Sequence, residues 1–275
     1  MLVAERAGCS RARAQALILA GEVRIAGTPM TKSGALVDDD AHLEIAGAER
    51  FVSRGGFKLE HALQEFGWQV EGLACLDVGA STGGFTDCLL QRGAAKVTAV
   101  DVGYGQLNWR LRTDPRVTVV ERQNFRYADV AALGAPFAFV CADVSFISLA
   151  KLFAKFAAAL AVDGRAVFLI KPQFEAGRAA VGSGGVVRDP SAQVAAIENV
   201  LRACDAAGLA PRALTNSPIK GPAGNIEFLL GASRSSVVGR DVLGRASLAH
   251  NAIEPDVATL DVAGTVRRAH ETLDP

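Results

Sequence analysis

Three polar residues stand where apolar runs of the sequence end, and their side chains suit chemistry on a bound ligand. Lys171 directly follows the apolar run 166–170 and precedes Pro172. A lysine in that place points into a cleft at a strand end, where partial desolvation and a second nearby cation favour its neutral form. A neutral lysine can act as a base. Asp143 and Asn124 stand in the same way beyond two further apolar runs.

A glycine turn at residues 79–84 is the second chemical feature. An apolar run breaks there into three glycines, Gly79, Gly83 and Gly84. An apolar helical pattern then resumes at Phe85, and the next apolar run ends at Asp101. Glycines let a backbone approach a nucleotide closely, and a carboxylate at the end of the second strand binds ribose hydroxyls. The pattern therefore predicts a site for an adenosine-containing ligand.

The spacing of these glycines discriminates between ligands. It is not the Gly-x-Gly-x-x-Gly of a pyrophosphate loop, which disfavours hydride transfer on a nicotinamide cofactor. Asp77, just before the turn, would repel a diphosphate but suits a cation. S-adenosylmethionine carries a sulfonium and an ammonium group, so we predict that cofactor, with Asp77 as a direct or water-mediated partner of its amine. The alternative is an acidic strand end that only caps a helix.

The elements that would position these residues follow from the apolar runs. Five runs, separated by helix-like or turn segments, indicate a doubly wound parallel sheet, and they end near residues 77, 100, 120, 141 and 170. Helices are predicted over 58–66 and 191–207, and a mobile loop at 182–185. In such a sheet, functional residues lie at the carboxyl ends of the strands, where Asn124, Asp143 and Lys171 fall.

The sequence does not decide the roles of two charged residues, Lys58 and Glu227. Lys58 follows the paired glycines Gly55 and Gly56, which we expect to interrupt regular structure before the helix. A cation at a helix start does not complement the helix dipole, so Lys58 is either held by another group or part of a plain linker. Glu227 begins the last apolar strand and either faces the cleft or is a solvated edge charge.

The first 47 residues indicate a compact helix-plus-hairpin module. Ser10 can cap a helix that Gly21 ends, and a short strand at 22–25, a turn at 27–29 and a strand at 41–45 follow. Basic residues dominate the first part of this module: Arg6, Arg11, Arg13, Arg24 and Lys32. The module is either an RNA-binding surface or an ordinary α+β cap with a solvated basic face.

Composition narrows the class of protein. At 275 residues and 50% hydrophobic content, we expect one large domain with a smaller appendage. The formal net charge of zero argues weakly against a nucleic-acid protein. The five cysteines and four histidines are scattered, so we predict neither disulfides nor a metal site. With no membrane span and no signal-peptide pattern, we expect a cytoplasmic enzyme.

Two resemblances can now be named. The order Ser-Arg-x-Arg-Ala-Gln at 10–15, Ala-Gly-x-Val at 20–23, a glycine turn and Lys32 resembles the alpha-L RNA-binding motif of the fourth small-subunit ribosomal protein. Ala26 departs from that motif, which has an Asn before the glycine. Four further residues resemble the Lys-Asp-Lys-Glu tetrad of the FtsJ-like ribose 2′-O-methyltransferases: Lys58, Asp143, Lys171 and Glu227. Methyltransferases of amino groups instead carry an Asn/Asp-Pro-Pro-aromatic turn, which the stretch 143–146 lacks.

Taken together, the motifs from Leu2 to Leu230 look like the TlyA family, which joins both modules. They include Ser-Arg-Gly-Gly-Phe-Lys-Leu, Asp-Val-Ser-Phe-Ile-Ser-Leu, Lys-Pro-Gln-Phe-Glu and Gly-Asn-Ile-Glu-Phe. The resemblance implies 2′-O-methylation of cytidine in ribosomal RNA of the large, and in some members also the small, subunit. Lys171 would then be the base, Lys58 would hold the 2′-oxygen, and Asp143 and Glu227 would orient the two lysines.

We expect an RNA-binding domain over 1–47, a linker over 48–57, a Rossmann-like methyltransferase domain over 58–232 and a tail of no predicted role over 233–275. Expected cofactor contacts are Asp77, Gly79, Ala80, Ser81, Gly83, Gly84, Phe85, Asp101 and Asn124. Expected RNA contacts are Arg6, Arg11, Arg13, Arg24, Lys32 and Arg54.

Two rival functions remain. The family is also labelled haemolysin, and lysis would need an amphipathic or spanning segment. Only the stretch 262–273 offers one, as a short helix better suited to packing on the enzyme. A catalytically inactive RNA-binding module is the other rival, and the intact set of four polar residues argues against it.

Overall fold

A computed structural model describes residues 2–7, 9–38, 41–45, 50–234 and 260–274. The predicted basic residue Arg13 is placed in a helix, but its side chain lies outside this description, as does most of the tail, 235–259. Within the described residues, no helix has the length and the apolar character needed to cross a membrane.

The N-terminal module folds as two helices and a three-stranded antiparallel sheet. Its elements are α1 (Leu2–Arg6), α2 (Arg11–Leu19), β1 (Val23–Ile25), β2 (Thr28–Met30) and β3 (Leu43–Ile45), with the strand order β2-β1-β3. A small core of Val3, Ala14, Leu17, Ile18 and Val23 holds the helices on the sheet. The predicted turn at 27–29 is correct only at Gly27, because the turn occupies residues 26–27 and residues 28–30 pair with β1. Pro29 lies in an edge strand, where a missing N–H is tolerated.

A seven-stranded sheet forms the centre of the larger domain. Its strands are β4 (Ala74–Val78), β5 (Lys96–Val100), β6 (Val117–Val120), β7 (Phe137–Ala142), β8 (Leu160–Ile170), β9 (Leu209–Asn216) and β10 (Phe228–Arg234), in the order β6-β5-β4-β7-β8-β10-β9. The predicted doubly wound sheet is confirmed, with one correction. Strand β10 is antiparallel to both β8 and β9, because the loop 217–227 returns the chain beside β9 without a crossover helix.

Helices cover both faces of this sheet. They are α3 (Gly55–Glu65), α4 (Gly84–Gln91), α5 (Trp109–Arg112), α6 (Phe153–Ala159), α7 (Pro172–Glu175), α8 (Pro190–Ala206) and α9 (Val262–Leu273). Alternate residues of β7 enter different cores: Phe139 packs with α3 and α4, whereas Val140 packs with α6, α8 and α9. The predicted C-terminal helix therefore packs on the larger domain, with Val266 and Ala269 fully buried.

The expectation that Gly55 and Gly56 interrupt regular structure is wrong. Both lie in the first turn of α3, so Lys58 is the fourth residue of the helix. A Cβ on Gly56 would come within 2.2 Å of the Phe51 ring, and one on Gly84 within 2.3 Å of Ser53 Oγ. These glycines let the first turns of α3 and α4 and the segment 51–53 approach one another, and that approach positions Lys58 beside the glycine turn.

Candidate active site

The carboxyl ends of the parallel strands meet at one edge of the sheet, and two adjoining cavities open there. The first, of about 480 Å³, lies between this edge, the start of α3 and the loop before β10. The second, of about 340 Å³, lies over the ends of β5 and β7. Gly79, Ser81 and Asp143 line both cavities. A ligand could therefore extend from one cavity into the other.

The four tetrad residues all line the first cavity, where they form two ion pairs. Lys58 Nζ lies 2.5 Å from Glu227 Oε2, and Lys171 Nζ lies 2.6 Å from Asp143 Oδ1. The first pair is the more deeply buried, with Glu227 at 1% side-chain exposure against 24% for Asp143. Each lysine thus has its own carboxylate, and the tetrad carries no net charge when all four groups are ionised.

Glu227 is positioned by the loop that precedes β10. Its carbonyl accepts a hydrogen bond from Ser217 N at 2.8 Å, and a Cβ on Gly221 would lie 2.4 Å from its Oε1. Burial raises the pKa of the Glu227 carboxyl above its ordinary value, and the charge and hydrogen bond of Lys58 oppose that rise. Of the two interpretations left open by the sequence, the structure places Glu227 in the cleft.

Lys171 is positioned by the end of β8 and by the loop after β7. Pro172 begins α7 directly after Lys171. The Lys171 Nζ donates a hydrogen bond to Ser145 Oγ at 2.8 Å. The backbone N–H of Asp143 donates to Val78 O at 3.0 Å, which ties the loop to β4. The sequence analysis missed Ser145, although it follows Asp143 by two residues in the quoted motif.

Glu175 fastens the same loop from the other side. Its two carboxylate oxygens accept hydrogen bonds from Ser148 Oγ at 2.6 Å and Leu149 N at 2.9 Å. Burial raises the pKa of Glu175, and these two hydrogen bonds oppose the rise. The glutamate of the Lys-Pro-Gln-Phe-Glu motif is therefore a structural clamp, a role that the sequence alone did not indicate.

The glycine turn forms the wall that the two cavities share. Gly79 has φ +81°, and a Cβ there would lie 2.4 Å from the carbonyl oxygen of Asp143, so no other residue fits. Ala80, Gly84 and Phe85 line the first cavity. Gly83 lines neither cavity, and a Cβ there would lie 2.2 Å from Leu111 Cδ1. Its close contact is with α5.

Asp101 and Asn124 line the second cavity, and their predicted contacts to an adenosine stay a prediction. The Asp101 carboxylate accepts hydrogen bonds from Ser81 N at 2.8 Å and Gly103 N at 2.6 Å. These bonds fix its orientation and leave further lone pairs for a ligand hydroxyl. Asn124 caps the turn that follows it, because its side chain accepts from Arg126 N at 3.0 Å.

Asp77 lies behind the turn and lines neither cavity. Its side chain is fully buried, and Thr86 Oγ1 donates to its Oδ2 at 2.6 Å. Its Oδ1 has no hydrogen-bond partner in the part of the chain that the structure describes. Burial raises the pKa of Asp77 to about 7, against the opposing hydrogen bond from Thr86. The predicted contact to a cofactor amine stays a prediction.

The residues predicted to bind RNA fall in two places. Arg6, Arg11, Arg24 and Lys32 lie on the N-terminal module with exposed side chains. Arg54 lies on the wall of the first cavity and donates a hydrogen bond to Lys220 O at 2.7 Å. Their role toward RNA stays a prediction.

One aromatic residue at the cavity mouth was also missed. Phe146 is 92% exposed, has φ +64° and lies with its ring centroid 5.4 Å from that of Phe174. The signal available in the sequence was the place of Phe146 in the motif Asp-Val-Ser-Phe, three residues after Asp143. Within the described ranges, no cluster of three His, Cys, Asp or Glu side chains could hold a metal ion.

Comparison with known proteins agrees with this geometry. Residues 51–234 match the FtsJ-like methyltransferase family. The chain is 48% identical over 229 residues to the 16S/23S rRNA (cytidine-2′-O)-methyltransferase TlyA of Mycobacterium tuberculosis, covering 82% of this chain and 85% of that protein. Hemolysin A of Brachyspira hyodysenteriae is 42% identical over 221 residues, covering 80% and 92%. The structure of a hemolysin-named protein from Streptococcus thermophilus superposes with a TM-score of 0.73 at 39% identity, covering 96% of this chain and 92% of that one. The chain therefore belongs to the TlyA family of FtsJ-like methyltransferases.

Proposed function

We propose that this protein methylates the 2′-hydroxyl of a cytidine in ribosomal RNA, with S-adenosylmethionine as the methyl donor. The observation that carries the proposal is the pairing of Lys171 with Asp143 and of Lys58 with Glu227 in one cavity. That cavity adjoins a second one that contains Asp101. The identity to an rRNA cytidine-2′-O-methyltransferase over most of both chains supports the choice of substrate.

The two cavities fit the proposed cofactor. Asp101, held by two backbone N–H groups, suits the ribose hydroxyls of an adenosine, and Asn124 lies beside it in the same cavity. Gly79 lets the glycine turn lie against the Asp143 carbonyl, which a Cβ would approach to 2.4 Å, and together they form the wall that the two cavities share. When bound, S-adenosylmethionine supplies an electrophilic methyl group on a sulfonium centre.

The tetrad supports attack by a ribose hydroxyl, which is a poor nucleophile until its proton is removed. We assign the removal of that proton to Lys171. Asp143 and Ser145 hold its Nζ by contacts of 2.6 and 2.8 Å, which fixes the direction of proton transfer. Lys58 donates a hydrogen bond to the 2′-oxygen, and Glu227 keeps Lys58 in place.

The N-terminal module supplies the proposed RNA contacts. Its exposed basic side chains suit phosphate groups, and Arg54 on the cavity wall suits the strand that enters the site. We assign residues 1–47 to RNA binding, 48–57 to a linker that runs into the first turn of α3 at Gly55, and 58–232 to the methyltransferase. We place the substrate RNA in ribosomal subunits and the protein in the cytoplasm. The family match to residues 51–234 supports the last of the three ranges.

Lys171→Ala tests the proposal directly. We expect methyl transfer from tritiated S-adenosylmethionine to ribosomal subunits to fall about 100-fold or more, because the base is lost. Calorimetry should show unchanged affinity for S-adenosylhomocysteine, since the adenosine contacts lie in the other cavity. The matched control is Lys96→Ala, an exposed lysine at the opposite end of the sheet, which should keep both properties.

Three results would overturn the proposal. Near-normal transfer by Lys171→Ala would show that Lys171 is not the base. If the natural chain did not bind S-adenosylhomocysteine, the assignment of S-adenosylmethionine as the cofactor would be wrong. Binding of ribosomal RNA without any transfer would indicate the inactive RNA-binding module. The hemolysin names of two relatives add one measurement, the release of haemoglobin from erythrocytes, for which we expect no effect.

A further inference from the structure

The Gly-Asn-Ile-Glu-Phe motif contains a buried asparagine that the proposed chemistry does not use. The Asn225 side chain lines neither of the two cavities, and the residue is 1% exposed. Its Oδ1 accepts a hydrogen bond from Val187 N at 3.0 Å, and its Nδ2 donates to Gly185 O at 2.9 Å. Both ends of the amide are therefore engaged with the glycine-rich loop 182–187. This pattern demands an amide, because a carboxylate lacks the donor.

The same segment carries Glu227 two residues later. The backbone carbonyl of Asn225 accepts a hydrogen bond from Gly221 N at 2.9 Å, which closes the loop before β10. Gly221 in turn lies so close to Glu227 that a Cβ would reach its Oε1. A shift of Asn225 would therefore move the carboxylate that holds Lys58.

The other side of the glycine-rich loop is also fastened. Gln193 of α8, 1% exposed, donates from Nε2 to Val187 O at 2.9 Å. Its Oε1 lies 3.0 Å from His270 Nε2 on the C-terminal helix α9. The loop thus joins α9, through Gln193, to the segment that carries Glu227. The expected mobility of residues 182–185 stays a prediction.

We propose that Asn225 is a positioning residue for the tetrad, acting through Glu227 by fixing the segment 221–227 against the loop 182–187. The inference rests on the proposed function of the site. It gives the asparagine of the motif, and the C-terminal helix behind it, a part in catalysis without contact to substrate or cofactor.

Asn225→Asp tests this role with little change in volume. The variant keeps the side-chain oxygen that accepts from Val187 N. A second oxygen replaces Nδ2, which donates to Gly185 O, so this contact becomes repulsive. Under single-turnover conditions with saturating S-adenosylmethionine, we expect the rate of transfer to fall about 10- to 100-fold, because a misplacement near 1 Å has effects of that size. The affinity for S-adenosylhomocysteine should change less than about twofold. Asn199→Asp, on the exposed face of α8, is the matched control and should change neither value.

A double-mutant cycle with Glu227→Gln separates positioning from general weakening of the fold. If Asn225 acts through Glu227, adding Asn225→Asp to Glu227→Gln should lower the rate by less than about twofold. Effects that multiply in full would refute the proposal, as would a normal rate in Asn225→Asp. If that variant does not fold, Asn225→Ser replaces it in the same cycle. Failure of the proposed function itself is distinguishable, because the natural chain would then transfer no methyl group.

Discussion

Asp77→Asn should change how the stability of this protein depends on pH. The Asp77 carboxyl is fully buried, and Thr86 Oγ1 donates a hydrogen bond to its Oδ2 at 2.6 Å. Burial raises its pKa from 3.8 to about 7. A raised pKa means that the folded state favours the protonated acid. The contribution of this protonation to the free energy of unfolding is therefore complete below pH 3.8. It is lost as the pH rises through 7. Asparagine resembles the protonated acid and cannot ionise.

The size of the effect follows from the shift. A difference between 3.8 and about 7 is about three pKa units, or about 4 kcal/mol over the whole range at 1.36 kcal/mol per unit. Between pH 5 and pH 8, the part still to be lost is about 3 kcal/mol. At pH 5 the variant should be the less stable by about 1 to 2 kcal/mol, because its amide N–H groups take the place of an oxygen without a partner. At pH 8, where the natural chain has lost about 3 kcal/mol, the variant should be the more stable by about 1 to 2 kcal/mol.

Urea denaturation at pH 5, 6, 7 and 8 measures this difference for both proteins. Asp205→Asn, which removes an exposed carboxylate from α8, is the control and should not reproduce the change of about 3 kcal/mol between pH 5 and pH 8. Parallel stability curves for Asp77→Asn and the natural chain would refute the reasoning, since they would mean that Asp77 is ionised in the fold at pH 5. S-adenosylhomocysteine should be absent, because a bound amine near Asp77 would itself favour the ionised form.

Two further predictions concern the cofactor cavities. Gly79→Ala should abolish binding of S-adenosylhomocysteine in calorimetry, because its Cβ would lie 2.4 Å from the Asp143 carbonyl oxygen and push the shared wall apart. Gly67→Ala has a similar φ of +64° with nothing within 4 Å, so it should cost only about 1 kcal/mol in urea denaturation and leave binding intact. Asp101→Asn should weaken the same binding at least about tenfold, since a hydrogen bond to a charged acceptor contributes about 1.5–3 kcal/mol. Unchanged affinity would remove Asp101 from the adenosine site.

The fold and the strand-end residues were predictable because they depend on local pattern and one rule of topology. Apolar runs that end in polar residues place those residues at one edge of a parallel sheet, whatever the helices between them do. Asp101, Asp143 and Lys171 obeyed that rule, and all three line the cavities. The start of α3 was not predictable, because Gly55 and Gly56 read as helix breakers until their contact partners from α4 and residue 51 are known.

Other features depend on contacts between distant residues, which no local pattern encodes. The antiparallel direction of β10 follows from how the loop 217–227 packs, and the buried position of Glu227 follows from that direction. Gly83 belongs to the same glycine turn as Gly79 but faces α5, so the spacing alone could not separate the residue at the cavity from the residue at the helix. The positioning role proposed for Asn225 could not be predicted from the sequence for the same reason.

The pairing within the tetrad bears on which lysine removes the proton. From the sequence, the two lysines were expected to lie together, so that one cation would favour the neutral form of the other. The structure instead gives each lysine a carboxylate, at 2.5 and 2.6 Å. The two pairs differ in access: Glu227 is 1% exposed, whereas Asp143 is 24% exposed and Ser145 beside it is open to solvent. A proton taken from substrate must later pass to water, and the exposed Ser145 beside Lys171 gives water a route to that pair. Access therefore favours Lys171 as the base, and it assigns Lys58 and Glu227 to fixing the oxygen that reacts.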